Sequence, residues 1–380
     1  MRLLPTRLEA SNYKSLANVS LPLTGLTILV GPNGAGKSNI VDALRFISDA
    51  LRVNLDHALR ERGGVEEVRR RASRRPPNFR LAIDLESFGK KLVAHYEFVV
   101  GPVSGGGYEV LREEARVEVR EETKAHYYRL NRGKLVDTSR HFSAKPSSKD
   151  LFLRSITAEP GFDQLYAALT DIATYNPNPA TIRELQDPDA LPFLRRDGRN
   201  LPSVWHKLPE DRRKRVEAYL KTLVPGFTRV ERKTLGPKET LGFKQRWDNK
   251  NDWWFYAYSI SDGTLRLTAL LVAIFQPKPS MVAVEEPEVA LHPAAARGFA
   301  DALLEAAAEK PILVTTHSTD ILDNPGISPE QVFIAHMHQG KTQLISPGFW
   351  VEELVKEHLY TLGELHRLGQ LAEYAAEIEQ

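Results

Sequence analysis

The sequence predicts an α/β fold with a mixed sheet, on three observations. A short apolar run, Leu26-Thr27-Ile28-Leu29-Val30, passes into a glycine-rich loop and then into an apolar helix start at Ile40 and Val41. Two more apolar runs, Met281-Val282-Ala283-Val284 and Pro311-Ile312-Leu313-Val314, read as buried strands, because a strand covered on both faces is apolar throughout. From 79 to 135 the apolar residues instead recur at every second position, as in an antiparallel meander with one wet face.

The loop carries the most chemistry. Gly31, Pro32, Asn33, Gly34, Ala35, Gly36, Lys37 and Ser38 spell G-x-x-x-x-G-K-S, with a strand before and a helix after. Glycines let backbone N–H groups turn inward around phosphate oxygens, and the helix N-terminus adds the positive end of its dipole. Lys37 has the reach for β- and γ-phosphates, and the Ser38 hydroxyl suits Mg²⁺. Asn39, next on the helix, is counted with the loop. A glycine-rich turn that merely joins two elements needs neither the lysine nor the serine. The motif implies a bound nucleoside triphosphate.

Composition bounds the rest. A chain of 380 residues can bury a substantial core, and its formal net charge of +2 supports no global argument for nucleic acid. With no cysteine it has no disulfide, thiolate metal site or cysteine nucleophile. The N-terminal residues hold no sustained apolar stretch, and the run 269–275 is far short of the ~20 residues that span a bilayer. The expectation is a soluble, cytoplasmic protein with no membrane partner.

In chain order, 8–14 and 19–23 read as strands around a turn. The helix after the loop runs through Val41, Leu44, Ile47 and Leu51. Residues 58–80 concentrate Arg60, Arg62, Arg69, Arg70, Arg71, Arg74, Arg75 and Arg80, which reads either as a nucleic-acid patch or as a solvated loop balanced by Glu61, Glu66 and Glu67. Residues 148–224 read as helical, broken by prolines. Within them 162–172 is amphipathic, and Pro209 with Glu210 and Asp211 opens a helix whose Arg212-Arg213-Lys214-Arg215 cluster reads as an exposed face. Strand pattern returns at 228–233, 242–247 and 253–259. The organisation expected is an N-terminal lobe over 1–147, a helical lobe over 148–225, a third lobe over 226–345 and a helical tail over 346–380. In that tail Leu362, Leu365, Leu368 and Leu371 form an apolar stripe.

The remaining motifs lie in the third lobe. Ser261-Asp262-Gly263-Thr264 opens an apolar helix at a second N-terminus suited to phosphate. Glu285 and Glu286 end the strand that begins at Met281, so two carboxylates sit at a carboxyl-terminal strand tip, where ligands bind in open α/β sheets. Ala290-Leu291-His292-Pro293 leads into another helix, with His292 in a structural role. Thr316-His317-Ser318 closes the last apolar strand.

With these motifs in this order, the chain resembles an ABC-type ATPase head of the RecF, SMC and OLD group, in particular its stand-alone AAA family ATPases. Residues 31–38 match the Walker A loop. Ser261-Asp262-Gly263-Thr264 resembles the signature, Val284-Glu285-Glu286-Pro287 the Walker B strand, Ala290-Leu291-His292-Pro293 the D-loop, and Thr316-His317-Ser318 the switch histidine. Asn12-Tyr13-Lys14-Ser15 resembles the N-F-[KR]-S element of these families. The resemblance implies an ABC-ATPase-like head of the P-loop NTPase class with an inserted helical lobe, and ATP and Mg²⁺ as cofactors. It implies that Lys37 and Ser38 hold phosphate and metal, that Glu285 acts on Mg²⁺, and that Glu286 polarises the attacking water. It further implies that His317 senses the γ-phosphate, that Lys14 approaches the phosphates, and that Ser261 and Gly263 touch the γ-phosphate of a second subunit in a homodimer sandwiching ATP. Glu285 stands where many relatives carry Asp, and no Q-loop glutamine can be placed; Gln164 falls in a helical context. The interval between the Walker A loop and the signature lacks heptads for a coiled-coil arm, and the C-terminal part is too short for a Toprim nuclease. The partners expected are a second copy, an effector protein (nuclease or other), and DNA through the arginine-rich segments.

Overall fold

The computed structural model describes residues 2–71, 78–120, 125–246 and 251–371. Arg74, Arg75, Trp247 and the end of the tail beyond Leu371 lie outside the described residues. The chain forms two compact units, each discontinuous in sequence: Met1–Thr27, Gly31–Ala173 and Phe333–Ile345 in the first, Ile28–Val30, Thr174–Val332 and Ser346–Gln380 in the second.

The first unit is built on a seven-stranded antiparallel sheet. Its strands lie in the order Leu16–Pro22, Leu3–Tyr13, Phe79–Ser87, Leu92–Pro102, Tyr108–Val119, Ala125–Asn131 and Lys134–Thr138. The period-two reading of 79–135 is therefore correct, and the meander is longer than expected, because the N-terminal hairpin adds its two strands through Leu3–Tyr13. Leu81, Ile83 and Leu85 point to the core, whereas the wet face carries an ion-pair ladder including Asp84, His95, Glu97 and Arg80. Against the buried face packs the helix Lys37–Arg52, which buries Ile40, Val41, Leu44, Phe46, Ile47 and Leu51. Phe46 meets Tyr13 and Phe79 edge-on, which ties helix to sheet. One buried carboxylate anchors the far end: Glu113 accepts from the hydroxyls of Tyr96 and Tyr128 and from the backbone N–H of Phe152 and Leu153. Phe333–Ile345, which makes up all but the first residue of the hairpin of Val332–His338 and Lys341–Ile345, joins this unit from late in the chain.

In the second unit, Ile312–Thr315 lies beside Met281–Glu285, and the unit also takes in Ile28–Val30, the end of the strand Leu26–Val30, and the end of the strand Ile172–Tyr175 from Thr174 on. Met281–Glu285 and Ile312–Thr315 are parallel, with Glu285 opposite Thr315. The strand Ile172–Tyr175 corrects the expectation that 148–224 is helical throughout. It is four residues long, includes the polar Thr174 and follows closely on the helix Phe162–Thr170, so it reads as the helix continuing. Helices do form at Phe162–Thr170, Pro179–Arg183, Leu201–Lys207 and Glu210–Leu223. Phe227–Leu235, Lys238–Arg246 and Asp252–Tyr256 make a three-stranded antiparallel sheet. In the tail, Phe349–Lys356 and Leu362–Arg367 are helical. Leu362, Leu365 and Leu371 are buried but Leu368 is 58% exposed, because the helix ends at Arg367 and the three-residue spacing no longer lies on one face. Among the described residues no helix is long and apolar enough to cross a membrane.

Candidate functional site: phosphate loop, signature and acid-strand tip

The phosphate loop belongs to the first unit. Gly36 sits at φ 96° as the N-cap of Lys37–Arg52, whose first turn holds no acidic residue. A Cβ on Gly36 would overlap the Thr342 Oγ1 atom, so glycine is required both by conformation and by space. Lys37 is buried and folds back on its own loop, with Nζ donating to Gly31 O at 2.7 Å and Pro32 O at 3.1 Å. Pro32, Asn33, Gly34 and Ser38 are exposed at the loop surface, whereas Ala35 is buried.

The Asn12-Tyr13-Lys14-Ser15 element grips the helix that follows the loop. The Tyr13 hydroxyl donates to Asp42 Oδ2 at 2.7 Å, Lys14 Nζ pairs with the same oxygen at 2.5 Å, and Asn39 Nδ2 donates to Ser15 Oγ at 2.6 Å. Asn12 and Lys14 both adopt positive φ, which turns the chain so that all three side chains meet the helix. Arg62, nearly buried, completes the cluster by bridging Asp42 and Asp49. Burial alone would raise the Asp42 carboxyl; Arg62, Lys14 and the Tyr13 hydroxyl outweigh it and hold it below the usual carboxylate value. Lys14 is thus engaged by a carboxylate here. The neighbouring arginines are also engaged: Arg60 with Asp56, Arg69 with Glu66, Arg71 with Glu67, and Arg80 with Glu9 and Glu97.

The other motifs belong to the second unit. Ser261 caps the helix Asp262–Phe275, its Oγ accepting from Thr264 N at 3.3 Å and donating to Thr264 Oγ1 at 2.9 Å. A Cβ on Gly263 would lie 2.5 Å from the Ala290 carbonyl oxygen, so the signature glycine admits the D-loop backbone. His292 caps Pro293–Ala307 through Nδ1, which accepts from Ala294 N, as its structural reading expects.

At the strand tip, Glu286 takes φ 43°, unusual for a residue with a side chain, and its N–H donates to Thr315 O at 2.9 Å. The register Glu285–Thr315 brings Glu286 and His317 just past the ends of adjacent parallel strands, with Glu286 Oε1 4.0 Å from His317 Nε2. Glu288 Oε1 accepts from the His317 backbone N–H at 2.7 Å, and Glu288 Oε2 is buried without a hydrogen-bond partner. Thr316 N donates to Leu29 O, which ties this tip to the strand feeding the loop.

Three polar groups at this tip escape a sequence reading. Arg266, four residues into the signature helix, is buried and donates to Pro177 O at 2.6 Å, Asn176 Oδ1 at 3.1 Å, Glu285 O at 3.3 Å and Glu286 O at 3.0 Å. Burial pulls its pKa below the ordinary arginine value despite Glu288 and Glu286 nearby. Asn176 directly follows the strand flanking Met281–Glu285. Arg196 Nη2 pairs with Glu285 Oε1 at 2.6 Å. The one available signal was local: an arginine inside an otherwise apolar helix face, at position 266.

Solved structures share this fold. The Smc head with an extended coiled coil from Pyrococcus furiosus, bound to the C-terminal domain of ScpA, superposes with a TM-score of 0.58 at 14% identity, covering 94% of this chain and 99% of that one. An Smc head bound to the C-winged helix domain of ScpA gives 0.56 at 19%, covering 92% and 99%. Among curated proteins, the DNA replication and repair protein RecF of Corynebacterium jeikeium is 47% identical over 66 residues, 17% of this chain and 15% of RecF. The chromosome partition protein Smc of Methanocaldococcus jannaschii is 52% identical over 42 residues, 11% and 4% of the two chains. The OLD nuclease of Thermus scotoductus is 46% identical over 41 residues, 11% and 8%. The chain thus spans only a small share of each of these curated relatives. A family profile matches most of the chain, residues 26–323. The fold, the motif order and this match agree: the chain belongs to the family described as "AAA domain, putative AbiEii toxin, Type IV TA system", and is an ABC-type ATPase head of the RecF, SMC and OLD group.

Proposed function

We propose that this chain binds and hydrolyses ATP with Mg²⁺, and that ATP drives two copies together in a switch that gates a partner in DNA maintenance or anti-phage defence. The observation that carries the reading is the Glu286–His317 pair, 4.0 Å apart at the tips of adjacent parallel strands. A carboxylate and an imidazole on that spacing are suited to orienting a water for attack and to meeting the charge that develops on the transferred phosphoryl group.

Residues 31–39 hold the phosphates, with Lys37 exchanging its loop carbonyls for phosphate oxygens. Ser38 and Glu285 supply oxygen donors, the kind a hard cation prefers, and are the residues that would hold Mg²⁺. When bound, the ion neutralises charge on the β- and γ-phosphates. Asn176, following the strand beside Met281–Glu285, takes the place for which no glutamine could be found. Lys14 would exchange Asp42 for phosphate. Ser261 and Gly263 serve a nucleotide held by the second copy; Ser261 then gives up its hydroxyl bond to Thr264.

A RecF-like reading with direct DNA binding has less support, since Arg69, Arg71, Arg212 and Arg215 are each paired with an acid. A scaffold with negligible turnover leaves Glu286 and His317 without a task. The partner reading draws on the solved Smc heads, which carry a ScpA domain. The test is ATP turnover by the purified chain, with sizing of Glu286→Gln with and without ATP. Measurable hydrolysis lost in the variant, and an ATP-dependent dimer of that variant, are expected. Absence of turnover in the native chain would refute the enzymatic part; a monomer under both conditions would refute the switch.

A further inference from the structure

The ion pair between Arg196 and Glu285 has no counterpart among the motifs. Arg196 is not on a loose segment: its carbonyl accepts from Asn176 N at 3.0 Å, Asp197 O accepts from Asn178 N at 3.0 Å, and Leu194 N donates to the buried Gln276 Oε1 at 3.0 Å. The backbone is thus pinned alongside the residues that follow Ile172–Tyr175, while the side chain stays 44% exposed. Its partner is the opposite: the Glu285 side chain is 13% exposed, at the end of a buried strand. The same strand end already carries Arg266, fixed on the carbonyls of Glu285 and Glu286.

We propose that Arg196 is a latch on Glu285, holding the carboxylate in the absence of a divalent cation and giving it up when one binds. The inference rests on the reading of Glu285 as the metal-side acid. A nearly buried carboxylate is costly without a counter-charge, and Arg196 supplies one. A guanidinium and a divalent cation on the same carboxylate repel each other at contact distance, so each weakens the hold of the other on Glu285. Arg266 cannot be the mobile group, because buried carbonyls hold it in place. Arg196 can, because its pinned backbone keeps the guanidinium within reach for return. Arg196 is therefore a positioning residue that sets how much cation is needed before Glu285 is engaged.

Cation competition gives the test a readout other than turnover. The full chain with ADP is titrated with Mn²⁺, free Mn²⁺ being followed by electron paramagnetic resonance, for the native protein, Arg196→Gln, Arg196→Lys and Glu285→Gln. Nucleotide affinity is measured separately in EDTA, and melting temperature checks the fold. An exposed-to-buried ion pair of this kind predicts that Arg196→Gln binds Mn²⁺ roughly two- to fivefold more tightly, with Arg196→Lys between it and the native chain. Affinity for ADP in EDTA should not change. Unchanged Mn²⁺ affinity in Arg196→Gln overturns the latch, and weaker affinity overturns it by making Arg196 a ligand of the loaded nucleotide. If the native chain binds Mn²⁺ no better than Glu285→Gln, the fault lies in the reading of Glu285, and the latch falls with it.

Discussion

The phosphate loop and the acid-strand tip solve their problems by different means. The loop works through its own backbone: Gly36 turns the chain, Lys37 folds onto Gly31 O and Pro32 O, and the helix begins without an acid in its first turn. The tip works through residues imported from elsewhere. Arg196 reaches Glu285 across 89 positions, Arg266 reaches Asn176 across 90, and Thr315 and Glu288 fix the backbones of Glu286 and His317. A site made of backbone tolerates little change within it, and here Thr342 Oγ1 closes the space beside Gly36. A site made of imported side chains fails whenever one support is removed.

That contrast can be broken at the tip first. Glu286→Gln keeps the size and the backbone bond to Thr315 while removing the carboxylate, which is 45% exposed. ATP turnover is expected to fall by about 10²–10⁴-fold with nucleotide affinity and melting temperature close to native, as measured by phosphate release and calorimetry. Loss of affinity as well would mean that Glu286 shapes the site instead of acting in it.

Next in size is the support beneath it. Arg266→Met removes a buried guanidinium and leaves the carbonyls of Pro177, Glu285 and Glu286 without that donor. Unfolding in urea should show a loss of about 2–4 kcal/mol. Turnover should drop in the folded fraction while binding of ADP without metal persists. If ADP binding disappears too, the two regions are not as independent as their construction suggests.

Gly36→Ala tests the loop in turn. The added methyl must meet Thr342 Oγ1 at a positive φ, which costs about 1–3 kcal/mol and should weaken nucleotide binding in step. A variant with native stability and native affinity would sink the view that the loop is limited by its backbone.

The smallest effect is a control that involves neither the loop nor the tip. On the wet face of the first unit, hydrogen bonds to Asp84 and then Glu97 raise His95 to about 9, while His95 first and then Arg80 lower Glu97 to about 2. The raised histidine contributes stability that is fully present below its unfolded value near 6.5 and is lost as pH rises through about 9. The lowered glutamate contributes stability present above about 4.5 and lost as pH falls towards 2. His95→Gln should therefore melt below the native chain at pH 6 and converge with it above pH 9, with turnover unaffected. A gap that persists at pH 10 would assign the effect to packing and not to charge.

How much of this could be read beforehand follows the same division. The loop, the apolar strands ending in Glu285 and His317, and the period-two sheet all announce themselves within a few residues, because backbone geometry and one-face burial are local properties. Ile172–Tyr175 does not, since it is four residues long, includes the polar Thr174 and follows closely on the helix Phe162–Thr170. Leu368 departs from the apolar stripe because the helix ends at Arg367. The arginines of 58–80 were ambiguous because pairing with Asp42, Glu66, Glu67 and Glu97 depends on neighbours that are distant or a turn away.

The phosphate loop, the signature turn, the paired acids and the histidine after the last apolar strand are each written in a short run of adjacent residues, whose chemistry and spacing are one statement. Packing set what surrounds them, and the register of two parallel strands brought Glu286 within 4.0 Å of His317. Packing also brought Phe333–Ile345 to the loop's unit, set Asn176 beside the acid strand, and closed Arg196 on Glu285. The reason is physical: strand pairing and charge pairing depend on distance in space, and a linear pattern records which groups are available but not which ones the packing of buried strands will bring within 3 Å of each other.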